Sequence, residues 1–394
     1  MKKTKENIVY CSDASQIKGN PAKVFFPLTI EEIREIVLEN SSITPRGGGT
    51  GLAGGAVPLN SVVIDLSKMS KILSLDINKK IAEVEAGIIL EELNNELKQY
   101  GLEFPVNPSS AKSCTIGGMI ATNAVGTRAV KYGRTSDWVK EVEIINGKAE
   151  LIRINKLDFS EVFGMEGVTG VIVKAKLNLV SLKPRTASII KTNELDKIPE
   201  MVRKLKTRND VSMIELLDKL TSKYLGLPEI YHIIVEFESD AGEFKGADYE
   251  KIMEMRNSAY PKLSKEGFSR IEDPKILPFK FQQFAKFLEE RGIPFFGHIA
   301  EGIIHPCFKP ELEGMRDEML NFVKKINGII TGEHGIGILK KKFLEESDKK
   351  LIRRIKKRYD PNLKVNPGKI IDLEKTEPKE NKTEENKPGN QNKQ

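Results

Sequence analysis

The chain contains four histidines, and three of them, His298, His305 and His334, fall between residues 298 and 334. Glu333 directly precedes His334 in the segment TGEHGIG, where Gly332, Gly335 and Gly337 frame the pair. A glutamate-histidine pair so framed reads as a loop with chemistry to do. Two imidazoles and a carboxylate make a metal-ligand set with open positions: the carboxylate supplies charge and the neutral imidazoles supply borderline-soft nitrogen. The remaining histidine is then free to act as a general base, because imidazole titrates near neutrality. The segment FFGHIAEGIIHPCF reads as two short strands joined at Glu301-Gly302. That register sets Ala300 against Ile303 and His298 directly against His305, with Cβ atoms about 5 Å apart. The bland alternative is a satisfied histidine pair on a half-buried face. His232, in the strand-like run YHIIVEFE, reads as structural.

Glycine marks a second place of interest. Residues 46–55 read RGGGTGLAGG, and Gly49, Gly51 and Gly54 formally satisfy GxGxxG. A dinucleotide fingerprint of that type lies between a strand and a helix. Here Ala56-Val57-Pro58 and the strand-like SVVIDLSKM follow, so the Rossmann reading is set aside. Glycine permits positive φ and close approach of a backbone or a ligand. Consecutive backbone N–H groups in such turns form an anion nest, for which a pyrophosphate is a natural guest. A tight connection without a ligand is the alternative. Residues 108–126, PSSAKSCTIGGMIATNAVG, form a second small-residue stretch. In it Gly117 and Gly118 allow close approach, and Ser109, Thr115 and Asn123 offer short polar groups. Packing of a small-residue helix on a sheet is the alternative there. GMEGVTGVI, residues 164–172, is a third and weaker stretch.

These segments need elements to hold them. Thr29 to Asn40 reads as a helix, with a Thr29/Glu32 capping box and a stripe of Ile30, Ile33 and Val37. Strands are expected at 72–76, 81–86, 141–145, 170–180 and 231–238, and the alternating AEVEA suits a mixed or antiparallel sheet. A helix from Leu90 to Tyr100 ends at Gly101, and a basic helix spans 345–358 before Asp360-Pro361. The chain is too long for one core, so two domains are expected, with a boundary near residue 182 where Lys183-Pro184-Arg185 marks a change of character. From Glu374 onward only Glu, Lys, Thr, Asn, Gln, Pro and Gly occur, so 373–394 reads as a disordered tail.

The net charge of +7 comes from scattered Lys and Arg, with no basic cluster interleaved with aromatics. Nucleic-acid binding is therefore set aside, and an anionic small molecule fits better. Cys11, Cys114 and Cys307 show no CxxC spacing and no disulfide framework, which favours a reducing, cytoplasmic setting. No signal peptide and no apolar run of spanning length is found. A peripheral contact with the inner face of a membrane, and a homo-oligomer, stay open.

TPRGGGTGLAGGAVP, PSS…TIGGMIATNAVGTRAVKYGRTSDWV and GMEGVTGVIV, in that order, resemble the FAD-binding domain of the vanillyl-alcohol oxidase/PCMH superfamily. Within it they resemble the FAD-linked oxidases of the D-lactate dehydrogenase and glycolate oxidase catalytic-subunit type. The resemblance implies an α+β fold: a two-part PCMH-type FAD-binding domain (1–182, with a return at 346–372) and an α+β substrate, or cap, domain (183–345). It implies FAD contacts from Pro45, Arg46, Gly47, Gly48, Gly49, Thr50, Gly51 and Gly54. It implies further contacts from Pro108, Ser109, Thr115, Gly117, Gly118, Ala121, Asn123, Gly126, Glu166, Gly167, Gly170 and Val171, and from Asn366 in NPGK. Some relatives attach FAD covalently through a histidine near the glycine loop. No histidine precedes His232 and Cys114 replaces a small residue, so non-covalent FAD is expected.

The family's second domain carries HxGDGNxH and GEHG. Here the first reads HIAEGIIH, with Glu301 and Ile303 replacing the Asp and Asn, and the second is intact. By position, His298, His305 and Glu333 resemble ligands of a divalent metal, zinc being expected, and His334 resembles the catalytic base. Arg256, in EKIMEMRNSAY, resembles a catalytic arginine that holds the substrate carboxylate, the other reading being a solvated helix arginine. The resemblance implies oxidation of a small D-2-hydroxy acid, such as D-lactate or glycolate, by hydride transfer to flavin. Electrons must then leave to oxygen, a quinone, a cytochrome or an iron–sulfur partner subunit, since this chain has no cluster-binding cysteine pattern. Two rival readings are a non-redox, alkyl-glycerone-phosphate synthase-like transferase and an FAD-binding accessory subunit.

Overall fold

In a computed structural model, which describes residues 8–372, the chain builds four sheets. The expected tail at 373–394 lies outside the described residues. The first sheet is parallel: Lys23–Phe25 and Ile43–Arg46 flank Val62–Asp65. The strand leading into the glycine loop and the strand leaving it are thus parallel neighbours, and the 46–55 loop enters no helix. That geometry is why the GxGxxG match is not a Rossmann turn. The second sheet is antiparallel, in the order Ile72–Asp76, Ile81–Glu85, Val171–Asn178, Val139–Ile145, Leu151–Asn155. A short pair, Leu102–Glu103 with Val180–Ser181, lies apart from it.

The helix Ile30–Glu39 is capped by Thr29, whose hydroxyl accepts from the Glu32 amide at 3.2 Å. The Glu32 carboxylate accepts from the Leu28 amide rather than from that of Thr29, so the box closes one residue early. Ile33, Ile36 and Val37 bury the helix against the core. Leu90–Lys98 does the same with Leu90, Leu93 and Leu97, and the chain turns at Gly101 with φ +65. One hydrophobic core takes in residues from Ile33 to Leu179 and, far along the chain, Ile355, Tyr359, Val365, Ile370 and Ile371.

The six-stranded antiparallel sheet starts at Thr186 and runs Thr186–Thr192, Tyr231–Phe237, Val211–Leu217, Phe295–His298, Ile303–Phe308, Arg270–Ile271. Its strands are apolar on both faces because both faces are covered. Ile198–Lys206, Phe281–Glu289 and Glu313–Lys325 pack on one side; Lys219–Tyr224, Gly246–Asn257 and Ala259–Lys265 pack on the other. Among the described residues, no helix is long and apolar enough to cross a membrane.

The return segment is tied to the first core by a buried lysine. Lys356 donates to the carbonyls of Val168 and Val365 and to the Asp360 carboxylate. Lys356→Met would leave Asp360 buried without its cation, at a cost of about 3–5 kcal/mol. The expected outcome is a clear fall in the urea midpoint followed by far-UV circular dichroism, with an unchanged midpoint contradicting this account.

Candidate active site

The hairpin that carries two of the histidines is not the two-residue turn expected from sequence. Ile299–Glu301 forms a 3-10 turn and Gly302 takes φ +71, so His298 pairs with Ile303 and His305 pairs with Phe296. His298 and His305 are diagonal neighbours rather than directly opposed. They still share a face, because both shifts are even. Their rings stand 5.2 Å apart at 89°. A Cβ on Gly302 would meet the Ile276 carbonyl at 2.2 Å, so the turn is closed by backbone that allows no side chain there.

Glu333 reaches in between them. Its Oε1 lies 3.2 Å from His305 Nε2, 3.5 Å from His298 Nε2 and 3.6 Å from His334 Nε2. His334 stacks on His305 with centroids 5.2 Å apart. The far nitrogens are already engaged: His298 Nδ1 with Glu215 Oε1, and His305 Nδ1 with the Glu272 carbonyl at 3.2 Å. Occupied Nδ1 atoms leave the Nε2 lone pairs of both rings free to converge, which is the tautomer a metal ligand needs. Donor atoms of His298, His305 and Glu333 all lie within 4.8 Å of one another. The donor set therefore fits a divalent cation.

The 331–337 loop is held by a carboxylate that sequence reasoning missed. Asp273 Oδ2 accepts the amides of Gly332, Glu333 and His334 at 2.9, 2.7 and 2.7 Å, and the Thr331 hydroxyl at 2.9 Å. Its Oδ1 pairs with Lys340 and faces His334 Nδ1 at 3.6 Å. Burial alone would raise this carboxyl, but His334 and Lys340 hold it down to about 2. The other end of the loop is fastened to the first core: Glu166 Oε1 accepts the amides of Ile336 and Gly337, and Ile338 donates to the Ala53 carbonyl. A second missed acid, Glu215, bridges His298 to Arg256. The signal for Glu215 was an acid set in the apolar strand sequence VSMIELL, whereas Asp273, in RIEDP, stands beyond the strand Arg270–Ile271 among polar neighbours.

Arg256 is neither solvated nor free. It is buried, with Nε on Glu215 Oε2 at 2.9 Å and Nη1 on Ser109 Oγ at 2.6 Å and Asn257 Oδ1 at 3.2 Å. The arginine expected to clamp a carboxylate thus already has one, and it also ties the helix Gly246–Asn257 to the 108–126 segment.

One cavity of about 640 Å³ joins the two regions: the glycine loop lines one part, and His298, His305, Glu333 and His334 line another. Of the residues expected to contact a cofactor, Pro45, Arg46, Gly47, Gly48, Gly49, Thr50, Gly51, Pro108, Ser109, Thr115, Gly117, Gly118, Ala121, Gly126, Glu166, Gly167 and Gly170 are on its wall. Four are not. Gly54 packs against Ile17 and Ile338. Asn123 is the left-handed C-cap of Ile116–Thr122, its Oδ1 accepting from the Ser136 amide. Val171 alternates into the core between Gly170 and Ile172, which face the cavity. Asn366 is a clip behind the loop, its Nδ2 donating to the carbonyls of Gly55 and Glu166.

Two loop glycines have a packing reason beside any ligand. A Cβ on Gly47 would lie 2.2 Å from Thr115 Oγ1, and one on Gly48 would lie 1.8 Å from the Ser113 carbonyl. The two small-residue segments are in backbone contact, and together they leave a long, side-chain-poor cradle that fits an extended dinucleotide. Cys114 also lines it, and burial pushes its thiol up to about 11, which keeps it protonated.

The charges around the cluster oppose burial. Burial lowers the His298 imidazole, yet Glu215 and Glu333 on either side raise it to about 10. Burial would raise Glu333, but His298 and His305 hold it well below the usual carboxylate range. His334 is lowered, chiefly by burial. Without a cation, then, a proton on His298 balances the carboxylates.

Two family models match the chain: an FAD binding domain over residues 21–155 and the FAD linked oxidases, C-terminal domain over residues 237–370. D-2-hydroxyglutarate dehydrogenase of Stutzerimonas stutzeri is 28% identical over 89% of this chain and 91% of its own length. D-lactate dehydrogenase of Archaeoglobus fulgidus is 29% identical over 88% and 90%. Glycolate oxidase subunit GlcD of Bacillus subtilis is 28% identical over 92% of both. Among solved structures, an alkyldihydroxyacetonephosphate synthase matches with a TM-score of 0.66 at 18% identity, covering 89% of this chain and 77% of the other. That likeness shows a shared fold.

A cation bound at this cluster must displace the His298 proton at any pH below about 10. Zinc titrations in buffers of different ionisation enthalpy are expected to show about one proton released, with apparent affinity rising roughly tenfold per pH unit. Glu333→Gln is expected to abolish the binding, whereas pH-independent binding would mean that the cation sits elsewhere.

Proposed function

Because the chain belongs to the FAD-linked oxidases, with the FAD-binding domain and the family's C-terminal domain in order, we propose that it oxidises a small D-2-hydroxy acid to the 2-oxo acid. The observation that carries this reading is that His334 and the His298–His305–Glu333 set open into the same cavity as the glycine cradle. Relatives similar along their whole length are named for D-2-hydroxyglutarate, D-lactate and glycolate, which share that reacting group.

FAD would be held non-covalently by the 45–51 and 108–118 walls and would supply a two-electron acceptor. His298, His305 and Glu333 would hold a divalent cation, which would supply a Lewis acid for a hydroxyl. The remaining work falls to side chains of this chain. His334 Nδ1 faces Asp273, so a proton there leaves Nε2 as the base for the substrate hydroxyl. Burial lowers His334 below the ordinary imidazole value, so it is neutral and ready near pH 7. On taking the proton, its imidazolium is stabilised by the Asp273 carboxylate. Glu215 orients His298, and Arg256 holds Glu215 in place while joining the two halves of the cavity through Ser109. The reading further calls for an electron acceptor, a quinone, a cytochrome or an iron–sulfur partner.

Anaerobic addition of D-2-hydroxy acids to the FAD-loaded protein is the direct test. Bleaching of the flavin's visible absorbance by a D-acid, and its loss with a chelator, is expected. His334→Ala is expected to slow bleaching by about 10²–10⁴-fold with FAD still bound. Near-normal bleaching in that variant would remove His334 from the base role. No bleaching by any 2-hydroxy acid would sink the reading and favour the transferase or accessory alternatives.

A further inference from the structure

Part of the cavity wall beside the histidine cluster is apolar, while Arg256 and Asn257 line it from the helix Gly246–Asn257. Phe296 lies two residues before His298 on the same strand face, with its ring 5.2 Å from that of His305. Tyr260, Pro261 and Ile271 line the same cavity. The Tyr260 hydroxyl is already spent, donating to the Ser269 carbonyl at 2.9 Å.

Charge is scarce in the same place. Among the described residues, the Lys and Arg side chains on the cavity wall are Arg46 and Arg256. Arg46 belongs to the glycine loop, where Asp13 and Asp65 face it. Arg256 is paired with Glu215. Three further cations lie close by but are not on the wall. Arg270 donates to the Ser15 carbonyl, Arg316 is paired with Glu272, and Lys340 spans Glu272 and Asp273. Glu215 already claims Arg256, and Asp13 and Asp65 face Arg46, so neither cation on the wall is left for a second carboxylate.

We propose that the substrate taken at this site is a 2-hydroxy monocarboxylate with an apolar side chain lying against Phe296, Tyr260, Pro261 and Ile271, and that a second carboxylate is excluded. This rests on the reading of the site as a 2-hydroxy-acid oxidase. The single carboxylate sits with the reacting hydroxyl at the histidine end of the cavity. The side chain gains by leaving water, about fourfold per methylene. A second carboxylate against these four residues would be desolvated without a cation or donor, a loss of about a hundredfold or more.

The test uses the FAD-loaded protein and two readouts. The first is equilibrium binding of 2-oxobutyrate and 2-oxoglutarate to the oxidised form, read from the perturbed flavin absorbance. The second is the rate of anaerobic bleaching by glycolate, D-lactate, D-2-hydroxybutyrate and D-2-hydroxyglutarate. Tighter binding of 2-oxobutyrate, and rates that climb along the first three acids and fall at the fourth, are expected. Ile271→Lys is expected to narrow or reverse the binding preference by about tenfold, since it sets a cation in the wall. If 2-oxoglutarate binds as tightly as 2-oxobutyrate to the unaltered protein, or if D-2-hydroxyglutarate is the best reductant, the side-chain proposal is overturned while the oxidase reading stands. If no 2-hydroxy acid bleaches the flavin and no 2-oxo acid binds, both are overturned.

Discussion

The geometry of the candidate site hangs on one buried carboxylate. Asp273 is fully buried, and leaving its charge without partners there would be costly. It is compensated by the amides of three successive residues, a threonine hydroxyl and the Lys340 ammonium. Those three amides belong to Gly332, Glu333 and His334, so the same bonds that satisfy Asp273 fix the path of the loop that carries the Glu-His pair. A segment with glycines at 332, 335 and 337 has little conformational preference of its own. The carboxylate supplies what the glycines lack, and it also orients the His334 ring it faces.

A similar economy joins the two halves of the molecule. Arg128, from the first half, forks onto Glu236 of the six-stranded sheet, and Lys131 and Tyr132 reach Glu238. Arg185 returns the contact to Glu103. On the opposite side of the cavity, Arg256 reaches Ser109 and Glu166 grips Ile336 and Gly337. The cavity is thus formed at a seam closed by charge-assisted bonds, in which each buried ion has a partner from the other half. Such pairs add little net stability over apolar packing, but they set geometry, because removing one partner leaves a buried charge exposed to its full desolvation penalty. A glycine cradle and a histidine cluster that meet across a seam need that kind of register.

Much of this was legible in the chain. The period-3.6 stripe of Ile30, Ile33 and Val37, the threonine cap at 29, the glycine stop at 101 and the alternation of AEVEA each reflect a local preference that the fold did not override. The glycine-rich segments and the Glu-His pair were visible because their residue types are costly or unusual elsewhere. The hairpin at Glu301-Gly302 was misjudged by its register, since a 3-10 turn and a two-residue loop have the same composition. Likewise Asn123, Val171 and Asn366 stand within cofactor-like segments but point away from the cavity.

What the sequence by itself determined was the inventory: a mixed or antiparallel sheet around small-residue loops, and a cluster of imidazole and carboxylate side chains. Each follows from short-range periodicity and from the chemistry of individual side chains, which neighbours along the chain suffice to reveal. What only the tertiary structure decided was partnership. That Glu215 claims Arg256 and His298, that Asp273 gathers the 331–334 loop, and that Gly47 and Gly48 are spent on Thr115 and Ser113 depend on contacts between residues distant in sequence. Such contacts exist only after the chain has closed on itself, because a buried charge or a glycine takes its partner from whatever the fold brings within a few ångströms.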